Sequence, residues 1–166
     1  MKTKQNDTTP SSLYNKMSEI DIKSGKITFG QRIELGKIFQ GDDTEIVKFE
    51  KVFLCMHDFK PAMTEYTKLT DYFNRIIRGI TYWIEQEQTL LKYDPSPEEL
   101  NAGIKDLSDK IGEFGTIKAL AKNYGKDPDE VLKWEYGKVF GILYSDLEEY
   151  KYQQRFNKVL EQKYKR

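Results

Sequence analysis

The side chains able to do chemistry are few in this sequence. It holds one histidine, His57, and one cysteine, Cys55. A nucleophile and its base must converge on one point. Two positions apart on a helix, these two side chains point in different directions. The spacing therefore predicts a partly buried thiol and a helix-end histidine, not a catalytic dyad. A structural zinc site takes four ligands, usually cysteine and histidine, so one of each predicts no metal. The local carboxylate clusters are Asp42 with Asp43, and Asp146 with Glu148 and Glu149. Neither sits in a loop with ligands at alternate positions. The first reads as a helix cap and the second as a solvated helix face. The stretch YGKDPDEV carries a glycine and a lysine but no GxxxxGK[ST] phosphate loop. These residues predict a protein that is not an enzyme and holds no cofactor.

The elements that would carry any other function centre on Thr116 to Leu143, TIKALAKNYGKDPDEVLKWEYGKVFGIL. Ile117, Leu120, Ala121 and Tyr124 recur at helical spacing. Gly125 suits a helix end with positive φ. Asp127 followed by Pro128 is a helix start. Val131, Leu132 and Trp134 follow. Two short helices meet here at a helix-turn-helix-like corner, and a long helix leaves it. In a DNA-binding unit the start of the second helix enters the major groove. Here that start carries Asp127, Asp129 and Glu130, which oppose phosphate contacts. The corner is read as a packing or protein-binding one, and nucleic acid as an unlikely partner.

Charge reverses sign along the last helix, which is expected over 135–166. Seven acids face two bases from Asp127 to Tyr150, whereas six bases face one acid from Lys151 to Arg166. Cations at a helix C-terminus complement the dipole. The same pattern suits antiparallel or head-to-tail association between copies, or docking on an acidic partner. Lys151, Arg155 and Lys158, with Phe156 among them, make a basic arm with an apolar stripe. Interleaved aromatics and cations also suit weak RNA binding.

Across the whole chain 27 basic residues balance 27 acidic ones, so net charge draws neither nucleic acid nor anionic membrane. A single cysteine excludes an internal disulfide and fits a reducing compartment. The N-terminus has no signal-peptide core, and the longest apolar runs are a few residues. The expectation is a cytoplasmic protein with no membrane segment. With 38% hydrophobic, 33% charged and 13% aromatic residues, the composition is that of a helical protein with a charged outer face.

In order, residues 1–26 read as a flexible N-terminal arm, with 13–22 a short helix or loose segment. A single helical domain of six or seven helices covers 27–166. Thr28 and Gln31 form a capping box, and Gly41 ends that helix. Asp42, Asp43 and Thr44 start the next, with a stripe of Ile46, Phe49, Val52, Phe53 and Met56. Thr70 is expected to cap a longer helix whose stripe runs from Tyr72 to Leu91. Gly79 within it costs about 1 kcal/mol of propensity, which predicts close packing by a neighbouring helix. Ser96, Pro97, Glu98 and Glu99 open the next helix. Leu100, Ile104, Leu107 and Ile111 are expected to form its buried face, with Gly112 and Gly115 ending it and Phe114 packing under the corner.

Two stretches, ITFGQRIEL from Ile27 to Leu35 and LAKNYGKDPDEVLKWEYGKVF from Leu120 to Phe140, carry a resemblance. Leu120, Ala121, Tyr124, Gly125, Pro128 and Trp134 match a pattern similar to that of the small helical tail assembly chaperones of long-tailed bacteriophages. The match covers about half the chain. The long basic helix after Ser145 departs from that pattern. The resemblance implies a protein-binding assembly factor that coats a tape measure protein and recruits tail tube subunits, in the host cytoplasm. It carries no catalytic motif and no known binding residue. Tyr124, Trp134, Tyr136 and Phe140 are the candidate protein-contact face, although Trp134 equally suits the core. The alternative reading is a nucleic-acid-associated regulator using the corner or the basic helix.

Overall fold

Local signals start and stop most of the helices. The computed structural model describes Met17 and residues 22–164. Among them are seven α-helices: α1 Phe29–Gln40, α2 Glu45–His57, α3 Tyr66–Leu90, α4 Pro97–Asn101, α5 Ile104–Tyr124, α6 Pro128–Val131 and α7 Tyr136–Tyr164. Short 3₁₀ turns occupy Ile22–Ser24 and Met63–Glu65. The fold is all-α. No helix among the described residues is long and apolar enough to cross a membrane.

The capping box at α1 is complete: the Gln31 amide donates to Thr28 Oγ1 at 3.1 Å, and the Thr28 amide to Gln31 Oε1 at 3.0 Å. Each bond satisfies an amide that helix geometry leaves orphaned. Ser96 and Glu99 cap α4 in the same way. Asp127 caps α6, accepting from the Asp129 amide at 2.8 Å. Thr70 does not cap α3. The helix begins a turn earlier, and the Thr70 hydroxyl donates back to the Tyr66 carbonyl at 2.9 Å.

The core is one cluster. Phe49, Val52 and Phe53 of α2 meet Tyr72, Phe73, Ile76 and Ile80 of α3, with Leu35 and Ile38 of α1 closing the layer. Ile117, Leu120 and Ala121 of α5, Val131 of α6, and Tyr136 and Val139 of α7 complete it. Ile46 of α2 lies outside the cluster and is exposed. Met17 and Ile22, which the sequence assigns to an arm, are buried in this core. The remaining residues of the expected arm from 1 to 21 lie outside the described residues.

Ile22 also explains Gly79. A Cβ on Gly79 would lie 2.6 Å from the Ile22 Cβ. The close neighbour is thus the 3₁₀ turn at Ile22–Ser24, not another helix. Trp83, one turn further along α3, donates its indole N–H to the Ile22 carbonyl at 2.7 Å.

The segment ahead of α1 pairs with the segment ahead of α7. The Phe29 amide donates to the Trp134 carbonyl and the Gly30 amide to the Leu132 carbonyl, both at 2.8 Å. In return the Tyr136 amide donates to the Ile27 carbonyl at 2.7 Å and the Gly137 amide to the Gly25 carbonyl at 2.9 Å. Thr28 and Glu135 form an antiparallel bridge at the centre. This clasp joins ITFG to WEYG, so stretches more than 100 positions apart share one backbone ladder.

The helix opening at Ser96 departs from expectation. It ends at Asn101, and Gly103 with φ +83° starts α5 afresh. The α5 backbone then turns at Gly112, with φ +45° and ψ −137°, before running on to Tyr124. Leu100, Leu107, Ile111 and Phe114 are not buried: they are 43%, 51%, 44% and 61% exposed. The turn at Gly112 changes the helical phase, so the buried face that Ile117 and Leu120 make does not extend back through Leu107 and Ile111.

Candidate functional site

The candidate residues fall on three surfaces and in the core. At the corner, Tyr124 is exposed and meets the half-buried Trp134 edge-on, ring centroids 5.4 Å apart. The Lys138 ammonium lies 4.8 Å over the Trp134 ring, an electrostatic attraction to the ring face. These two aromatics form a small surface patch. Tyr136 and Phe140 do not belong to it. Tyr136 is 2% exposed, wedged between Phe29 and Trp83, and Phe140 is half-buried against Trp83. Tyr136 belongs to the packed interior, which corrects its assignment to a contact face, while Phe140 packs partly buried against the core.

The Tyr136 hydroxyl donates to Glu87, which also accepts two hydrogen bonds from Arg32, at 2.7 Å from Nε and 2.5 Å from Nη2. Burial, and then the Glu87 hydrogen bond, push the Tyr136 phenol well above its usual range. It remains a donor at any ordinary pH. This triad floors a cleft of about 560 Å³ between α1, α3 and α7, walled by Phe29, Ile33, Leu91 and Leu143. Both Glu87 oxygens, the Tyr136 hydroxyl and two of the three Arg32 nitrogens are engaged with each other. Its chemistry is that of a buried tie.

The second surface lies between α5 and α7. Ile104, Leu107, Ile111 and Leu120 line a groove of about 390 Å³ with Tyr93 and with Leu143 and Asp146 of α7. The sequence reading missed this groove because it followed one stripe through Ile111. The signal that marks it is Gly103 and Gly112, nine apart, where no side chain within 4 Å would crowd a Cβ and both backbones take positive φ.

The third surface is the end of α7. Lys151 is half-buried, while Arg155, Phe156 and Lys158 are exposed. Lys92, Lys151, Arg155 and Lys158 line a groove of about 550 Å³. Its floor is a hydrogen-bonded cluster in which Tyr93 donates to Glu99 at 2.5 Å and Tyr150 to Glu99 at 3.1 Å. Glu99 is held below the usual carboxylate range by the Tyr93 hydroxyl and then by the Ser96 amide. An anion entering this groove meets that carboxylate as well as the cations.

Cys55 and His57 make no pair. Burial, and then the Glu34 carboxylate, push the Cys55 thiol up to about 11, which leaves it protonated and a weak nucleophile at neutral pH. His57 lies 2.7 Å from the Tyr72 hydroxyl, and burial lowers its pKa from 6.5. Folded chains therefore bind fewer protons than unfolded ones as pH falls below 6.5. Stability from neutral His57 is full above that value and is lost as the pH falls from it through the lower value of the folded chain. A urea-melt series from pH 8 to pH 5 should show midpoints falling below pH 6.5, and His57→Gln should flatten that fall. Among the described residues no group of three or more His, Cys, Asp or Glu side chains is placed to hold a metal ion.

Compared with known proteins, the chain matches no family model, no curated protein and no solved structure.

Proposed function

We propose that this chain is a non-enzymatic, protein-binding assembly factor, of the kind the phage tail assembly chaperones represent. Its groove between α5 and α7 would hold an apolar helical segment of a partner such as a tape measure protein. The carrying observation is the exposure of Leu100, Leu107, Ile111 and Phe114 on one arm outside the core. Of these, Leu107 and Ile111 line the groove, and exposed apolar surface of this kind marks interaction sites. The groove is lined along α5 by residues from Ile104 to Asn123. That shape suits a helix laid in a groove, read by anchors at i, i+3 or i+4, and i+7. Recruitment of tail tube subunits falls to the corner patch of Tyr124 and Trp134 in this reading.

The test is direct binding of an amphipathic, leucine-rich helical peptide of about 20 residues to the purified chain, followed by fluorescence anisotropy. Leu107→Asp with Ile111→Asp should weaken binding by at least about tenfold while the thermal midpoint stays unchanged, since both side chains are exposed. Equal binding by this variant would sink the reading.

The second reading, a nucleic-acid-associated regulator, rests on the cations around the groove at Lys92, Lys151, Arg155 and Lys158. The corner argues against it. The second limb, α6, is four residues long, about 6 Å, which is too short to lie along a major groove. Reversing Lys151, Arg155 and Lys158 to glutamate separates the two readings. Loss of protein association with nucleic-acid binding unchanged would sink the regulator.

A further inference from the structure

The last thirteen residues of α7 carry an apolar stripe that is exposed among the described residues. Tyr152 is 55% exposed, Phe156 46% and Val159 62%. Tyr152 and Phe156 stack, ring centroids 6.2 Å apart and planes within 17°. On an unbroken helix with about 100° per residue, this stripe lies roughly 180° around from Tyr136, Val139, Leu143 and Leu147. The latter group faces the body: Tyr136 and Val139 are buried, and Leu143 packs on the core. Because α7 runs as one helix from Tyr136 to Tyr164, the outer stripe points away from the domain that carries it.

Charges flank the stripe in a self-complementary order. Glu148 and Glu149 precede it and Lys163 follows it; Glu148 also holds Lys151 of its own helix at 2.9 Å through Oε1, so the contact across the seam falls to its other carboxylate oxygen. The pair Glu148 and Lys163 and the pair Tyr152 and Val159 share one midpoint, between Arg155 and Phe156. A two-fold axis through that midpoint, perpendicular to the helix, sets Glu148 of one copy against Lys163 of the other and Tyr152 against Val159. Arg155 of one copy then lies beside Phe156 of the other, a favourable placement for a guanidinium. A symmetric contact of this kind is isologous and closes at two copies.

We infer that α7 pairs antiparallel with α7 of a second copy of this chain over Glu148 to Lys163, giving a two-fold dimer. The inference is independent of the function proposed above, because it uses the opposite end of the molecule from the corner and a face other than the apolar groove. The paired segment is about 24 Å long. A two-helix seam of that length buries less than the roughly 1,600 Å² of a standard interface. The dimer is accordingly a micromolar, salt-sensitive one. It uses none of the residues that line the groove between α5 and α7, so one dimer presents two such grooves.

Sedimentation equilibrium on the full chain, at low and high salt, tests this. The chain should dimerise, with a dissociation constant that rises with salt. Phe156→Glu should raise that constant by at least about tenfold. Glu148→Lys and Lys163→Glu should each raise it, and the two together should restore it to within about threefold of the parent. All these positions are solvent-exposed or half-exposed, and unchanged helix content by circular dichroism confirms that the variants fold. A chain that stays monomeric through high micromolar concentration overturns the inference, as does one that gains mass only with a nucleic-acid mixture. So does a dimer indifferent to Phe156→Glu, or a charge-swapped variant weaker than both single reversals.

Discussion

Gly25→Ala should destabilise the chain by about 3 kcal/mol, a fall of roughly 10 °C in thermal midpoint for a domain of this size. Two independent costs add at this position. The backbone sits at φ +73°, where an L side chain collides with its own carbonyl. A Cβ would also lie 2.6 Å from the Gly137 Cα and 2.7 Å from the Gly137 nitrogen. Those are backbone atoms at the first turn of α7, so no rotamer change relieves the contact. The Gly25 carbonyl meanwhile accepts the Gly137 amide at 2.9 Å. Any shift that makes room for the methyl group stretches this bond and loosens the clasp between the two chain segments. Gly125→Ala is the control. Its φ is +60° and nothing lies within 4 Å of a Cβ there, so only the conformational cost of about 1 kcal/mol applies. Urea and thermal melts of the two variants measure the difference. If Gly25→Ala falls within about 0.5 kcal/mol of Gly125→Ala, the clasp does not hold the fold together.

The clasp also marks where sequence reasoning stops. Helix starts were legible at Thr28, Ser96 and Asp127 because a capping box is written within four consecutive residues and satisfies its own amides. The stops at Gly41 and Gly125 were legible for the same local reason. Asp58 closes α2 in the left-handed region, φ 52°, as its place after His57 suggested. Thr70 misled because a threonine hydroxyl that bonds back to the carbonyl four residues earlier has the same composition as a cap. The pairing of ITFG with WEYG depends on partners distant in sequence, and no local pattern names the partner. The exposed face of α4 and α5 was misread on a different ground. Leu100, Ile104, Leu107 and Ile111 keep a helical period, and period says that a face is apolar without saying what covers it. Among the contact candidates, Tyr124 and Phe156 lie at the surface, whereas Tyr136 sits in the core. Trp134 takes both roles, its ring packed on one side and under Lys138 on the other.

Glu87→Ala is expected to cost about 2–3 kcal/mol, because it strands two donors at once. The Arg32 side chain is 11% exposed and that of Glu87 27%. The guanidinium cannot reach bulk water without leaving the space that Gly36 provides. A Cβ on Gly36 would sit 2.6 Å from Arg32 Nη1, so the arginine fills that gap. The Tyr136 hydroxyl loses its acceptor in the same step. The partial exposure of Glu87 keeps the cost below that of a fully buried pair. Tyr136→Phe removes one donor and leaves the ion pair intact, so its cost should stay near 1 kcal/mol. The paired change Arg32→Met with Glu87→Leu removes charge and countercharge together. The desolvation of both ions then disappears along with their attraction, and stability should return to within about 1 kcal/mol of the parent. A double-mutant cycle on the urea midpoints reads the coupling directly. If the paired variant is as unstable as Glu87→Ala, then shape and not charge balance holds α1 against α3. The 560 Å³ cleft above the triad would then be a packing defect whose walls the ion pair does not secure.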